Sequence, residues 1–80
     1  MSIDVLLFAS YADLFGAHSL AVDLPPGSTV ADLVAQIRSR PGAERLPASP
    51  LVAVNQHYAS PSSLIAAGDE VALIPPVAGG

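Results

Sequence analysis

The chain has no cysteine. That excludes disulfides, thiolate metal ligands and a thiol nucleophile, so any sulfur chemistry must take its sulfur from a partner. It also has no lysine. Its three basic residues, Arg38, Arg40 and Arg45, fall in one short segment and face seven acidic residues, for a net charge of -4 and a pI near 4.6. Binding a phosphate backbone requires several cations on one face, so neither nucleic acid nor an anionic membrane is an expected partner. An acidic surface suits a basic protein partner, and equally it keeps a small protein soluble. The longest apolar run, Val5 to Ala9, is far too short to span a bilayer. Met1-Ser2-Ile3-Asp4 lacks the basic start of a secretory signal, and the expected location is cytoplasmic. No Ser-His-Asp order, phosphate-binding glycine loop or metal-ligand spacing is present. The two histidines, His18 and His57, read as surface or turn residues, with a metal pair as the minor alternative. The expectation is no metal and no bound cofactor.

What remains is 80 residues, 51% of them apolar. That is one domain, able to fold alone while burying only about 60% of its unfolded surface. Deep clefts are not expected at this size, which counts against a self-contained enzyme.

The apolar residues specify the elements. Ile3 to Ala9 reads as a strand with Ile3, Val5 and Leu7 on one face and Asp4, Leu6 and Phe8 on the other. Apolar residues on both faces predict a central strand. Ser10 to Phe15 predicts a short helix, with Ser10 as candidate cap and Gly16 as its stop. His18 to Leu24 predicts a second strand, antiparallel to the first. After Pro25-Pro26-Gly27 comes the clearest helix. Thr29 is its N-cap, Asp32 lies in its first turn, and Val30, Leu33, Val34 and Ile37 form one stripe. Pro41-Gly42 ends it. Residues 43–50 read as a loop and Leu51 to Asn55 as a third strand. Tyr58-Ala59 is at most a strand stub, and 62–67 forms a single helical turn. Gly68-Asp69 turns the chain into a last strand, Glu70 to Ile74, again apolar on both faces.

One main helix covers one face of a sheet. If the first and last strands pair centrally, some of Leu6, Phe8, Ala72 and Ile74 stay uncovered, and such a patch marks a partner surface. The alternative is that loops 10–16 and 58–67 cover it. Phe8, Ile74, Pro75 and Pro76 are the candidate partner-surface residues. Asp69-Glu70 reads as a turn plus a solvated edge, with partner contact as the sharper option. The arginines read as a helix end, with docking to an activating enzyme as the alternative.

Pro75-Pro76 removes two N–H donors, so the ladder must stop there. The segmentation is therefore a folded domain over 1–76 and a flexible tail over 77–80. Val77, Ala78, Gly79 and Gly80 reach at most ~14 Å, enough to thread a narrow channel into another protein. The one distinctive group in this tail is the α-carboxylate of Gly80, ionised at neutral pH. Attack of that carboxylate on the α-phosphorus of ATP would expel pyrophosphate and give an acyl-adenylate. Sulfur could then displace AMP and leave a thiocarboxylate.

Four pieces of the chain, in order, carry a resemblance. They are Val5-Leu6-Leu7-Phe8-Ala9 with Leu14-Phe15-Gly16, then Ala53-Val54-Asn55-Gln56, then Gly68-Asp69-Glu70-Val71-Ala72, and finally Pro75-Pro76-Val77-Ala78-Gly79-Gly80. With these the chain resembles the small subunits of molybdopterin synthase, ubiquitin-like sulfur carriers of the β-grasp fold. Residues 41–50 match no part of that pattern. The resemblance implies an α+β, β-grasp domain with a mixed sheet of about five strands and one main helix on one face. It implies that an ATP-dependent, ubiquitin-activating-like adenylyltransferase acts on Gly80 and that a sulfur donor protein converts it to the thiocarboxylate. The tail would then insert into a large catalytic subunit that builds the dithiolene on a cyclic pterin precursor. Catalytic residues would belong to that subunit. Two further functions share this fold and tail. One is sulfur carriage for thiamine, tRNA thiolation or cysteine; the other is a ubiquitin-like modifier joined through Gly80 to lysines of other proteins.

Overall fold

The computed structural model describes residues 1–75. Five strands form one sheet: β1 (Ser2–Leu7), β2 (Ser19–Asp23), β3 (Leu51–Val54), β4 (His57–Ala59) and β5 (Val71–Ile74), in the order β2-β1-β5-β3-β4. β1 and β5 pair in parallel, with Val5 beside Val71 and Leu7 beside Leu73, and every other pairing is antiparallel. The strands that are apolar on both faces are therefore the interior ones. No helix among the described residues is long and apolar enough to cross a membrane.

Helix α2 (Val30–Arg38) covers one face. Thr29 Oγ1 accepts from the Asp32 N–H, and an Asp32 carboxylate oxygen accepts from the Thr29 N–H, closing a capping box. Val30, Leu33 and Ile37 are buried against Ile3, Val5, Leu7, Val22, Val52, Val71 and Leu73. The sheet contributes alternate residues to this core, as the two-residue side-chain period requires.

Three local readings change. Helix α1 (Ala9–Phe15) begins one residue earlier than expected, with Phe8 rather than Ser10 at its N-cap and no side-chain cap bond. β1 ends at Leu7, and the left-handed turn at Ala9 (φ 47°) starts the helix. Residues 43–50 include a 3₁₀ turn, Ala43–Arg45, which buries Ala43 and Leu46. Gly42 before it is obligatory. A Cβ there would stand 2.4 Å from the Leu14 carbonyl oxygen, and φ is 95°. Residues 62–67 form no helical turn. The backbone of residues 61–63 serves α2 instead: the Val30 and Ala31 N–H groups donate to Ser63 O and Pro61 O, and Ile65 inserts into the core. The first N–H groups of a helix have no partner within it, and this segment supplies two of them. The expected domain boundary at Pro76 and the tail at 77–80 lie outside the described residues.

Two substitutions separate core from cap. Leu33→Ala should lower stability by about 2–5 kcal/mol, because Leu33 is fully buried and its removal leaves a cavity. Thr29→Ala should lower it by about 1 kcal/mol through loss of the cap. Urea titration of each variant reads both values.

Candidate partner-docking face and tail root

The face opposite α2 has rows set by strand register. Leu6 lies beside Ala72, Ala72 beside Ala53, and Ala53 beside Tyr58. One row toward the chain terminus, Ile74 lies beside Leu51, with Phe8 following β1 on the same side. Small residues make a floor and large ones make walls. The result is a groove of about 410 Å³ lined by Leu6, Phe8, Ala53, Gln56, Tyr58, Glu70, Ala72 and Ile74. Phe8 is 48% exposed, Leu51 49% and Tyr58 74%.

The helix and the loop that were candidates to cover this face do not do so. Tyr11 of α1 turns into the α2-side core, where burial raises its phenol pKa. The 58–67 segment gives the groove only Tyr58 at its wall, while Ile65 packs in the core. Of the residues expected on a partner surface, Phe8 and Ile74 line the groove together, and half-buried Pro75 continues the chain from Ile74. Pro76, and the tail residues Val77, Ala78, Gly79 and Gly80, lie outside the described residues.

The start of β5, the strand that leads to Pro75, is fixed by an unforeseen clasp. Asn55 and Gln56 both have positive φ (52° and 70°), the conformation of a two-residue turn between antiparallel strands. From there Asn55 holds the start of β5 at three points. Its N–H donates to Glu70 O at 2.7 Å, its Oδ1 accepts from the Glu70 N–H at 2.9 Å, and its Nδ2 donates to Asp69 Oδ1 at 3.1 Å. The other Asp69 oxygen accepts from the Ala66 N–H at 2.8 Å. Asp69 thus stitches the turn while Glu70 looks into the groove. The signals were an Asn at the head of a hairpin turn and an Asp after Gly68. What joins them is a strand pairing across 14 residues of separation.

The remaining candidates separate. His18 precedes β2 and His57 opens β4, at opposite edges of the sheet. Arg38 donates to Leu46 O and Pro47 O, and Arg40 to Ala21 O. Two of the three arginines therefore hold backbone together. Among the described residues, the groove lining carries Glu70 and Tyr58 as its only ionisable groups. It has the makings of a binding surface for a protein.

Hydrogen bonds from the Ala66 N–H, and secondarily from Asn55, lower the pKa of Asp69. A depressed carboxylate contributes stability above its unfolded value, ~3.9, and that contribution is lost as pH falls through the folded value. Asp69→Asn should therefore reduce stability at pH 7 and flatten the acid limb. Urea midpoints of wild type and variant between pH 7 and pH 2 measure both, and parallel curves would contradict the clasp.

The sequence pattern of the ThiS family matches residues 5–80. A molybdopterin synthase sulfur carrier subunit from Chlamydomonas reinhardtii is 37% identical, the match covering 100% of both chains. Its counterpart in Arabidopsis thaliana is 33% identical over 100% of this chain and 84% of the relative. Among solved structures, SAMP1 from Haloferax volcanii superposes with a TM-score of 0.86 at 32% identity, covering 100% of both chains. With its mixed five-stranded sheet, this β-grasp chain belongs to the ThiS family.

Proposed function

We propose that this protein is a sulfur carrier, the small subunit of a molybdopterin synthase. The observation that carries the proposal is the full-length likeness to sulfur carrier subunits, on a chain that ends in Gly79-Gly80. Here the protein acts as a co-substrate with one reactive atom and not as a catalyst. A cytoplasmic adenylyltransferase binds ATP, and the Gly80 carboxylate attacks its α-phosphorus with loss of pyrophosphate. Sulfide-level sulfur released by a sulfur donor protein attacks the acyl carbon, expels AMP and leaves the terminal thiocarboxylate. Val77 to Gly80 then enter the large catalytic subunit, which takes the sulfur for the dithiolene of molybdopterin. The protein binds no cofactor of its own, and ATP belongs to the activating enzyme.

The fold supports this reading in two ways. β5 is an interior strand, so the tail root is anchored on both sides by neighbouring strands. Phe8 and Ile74 place an apolar groove next to that root, so one docking event can hold the domain and direct the tail. Apolar contact supplies affinity, and a tail almost without side chains supplies access.

A second reading has its own support, since SAMP1, a small archaeal modifier protein, shares fold and length with this chain. A modifier joins Gly80 to a lysine of a target by an isopeptide bond. Lacking lysine, this protein cannot build lysine-linked chains of itself.

Mass spectrometry of the protein from its native host distinguishes the two. A carrier shows one oxygen of Gly80 replaced by sulfur. A modifier shows Gly80 joined to lysine side chains. Removal of Gly79-Gly80 should leave the melting temperature unchanged and abolish molybdopterin formation in a reconstituted synthase. Retained activity of the truncated chain would refute carriage by the tail.

A further inference from the structure

We infer that the open face is chemically graded along its strands, and that Asp4 and Glu70 together receive an arginine or lysine side chain of the protein that docks there. This rests on the reading of that face as a docking surface and adds to it the orientation and charge of the partner.

The register places the two carboxylates together. Val5 pairs with Val71 in the parallel β1–β5 ladder. Continuing that register back by one residue sets Asp4 beside Glu70. Asp4 shares the face of Leu6 by the two-residue alternation, and Glu70 lines the groove. Both residues are exposed. Four residues further along the same strands lie Phe8 and Ile74, about 13 Å away at the rise of a strand. The face thus has an acidic end, a floor of Ala53 and Ala72, and an apolar end at the root of the tail.

The fold itself makes no use of this acidic pair. Asp69 and Asp32 spend their carboxylates on backbone N–H groups. Among the described residues, the side chains of Asp4 and Glu70 have no ion pair and no hydrogen bond. Arg38 and Arg40 are engaged with carbonyls of residues 46, 47 and 21, and Arg45, in the 3₁₀ turn after α2, forms no ion pair with either carboxylate among the described residues. Like charges on neighbouring strands destabilise a sheet. A pair that burdens the free protein and borders an apolar groove is accounted for by a cation that arrives with the partner. The matching surface is an apolar side chain for the groove and, about 13 Å from it, a basic side chain for the carboxylates. Charge complementarity of this kind sets encounter rate and orientation, so the acidic end aligns the domain and the tail root faces the partner's catalytic site.

The test uses the full-length chain and the purified large subunit from the same organism, with affinity measured by calorimetry across a salt series. Asp4→Asn/Glu70→Gln should bind about tenfold more weakly at low salt and show a flatter salt dependence, while its melting temperature stays level or rises. Unchanged affinity with an unchanged salt slope would overturn the inference, as would a fall in melting temperature, which would make the pair structural. Phe8→Asp reports on the underlying reading. If it binds as wild type does, the face is not the docking surface. If it binds poorly while the double variant binds normally, the face docks the partner without using the acidic end.

Discussion

The parallel pairing of β1 with β5 is the constraint on which the rest depends. It joins the first strand of the chain to the last, in the middle of the sheet. One set of alternating residues, Val5, Leu7, Val71 and Leu73, becomes the floor of the core under α2. The other set, Asp4, Leu6, Phe8, Glu70, Ala72 and Ile74, becomes the open face. A slip of β1 by one residue would turn its two sets over, burying Asp4 and exposing Leu7. The same ladder therefore fixes stability, the groove and the position of Ile74 at the end of β5.

Around this ladder the loops do structural work that their composition conceals. The 61–63 backbone accepts from the first N–H groups of α2, and Asn55 and Asp69 clamp the turn before β5. Gly42 lets the segment after α2 press against the end of α1. These contacts keep helices and loops on one side of the sheet and leave the other side bare. A small domain gains a specific surface in this way, because an uncovered sheet face needs no volume. The proposed division of labour follows: the domain supplies recognition, the tail supplies one reactive atom, and the catalytic groups come from elsewhere.

The sequence was enough for the central strands and the main helix. Alternation in Ile3 to Phe8, the Val30-Leu33-Val34-Ile37 stripe and Thr29 with Asp32 are local patterns, and each folds as its spacing predicts. Apolar residues on both faces of the first and last strands also gave their central pairing. The Gly-Gly ending and the double proline, which carry the functional argument, are likewise legible residue by residue.

Tertiary structure alone decided what depends on who stands next to whom. Ser10 looked like a cap until the left-handed turn at Ala9 moved the helix start to Phe8. Residues 62–67 looked helical, but N–H groups at the start of α2 are met by the Pro61 and Ser63 carbonyls. Asp69 and Glu70 are adjacent in sequence yet have separate roles, because one side chain turns back to Ala66 and Asn55 and the other faces the groove. Local spacing determines which residues share a face of a strand. Only long-range register determines what that face meets, because the partners in a sheet are set by the closing of the whole chain.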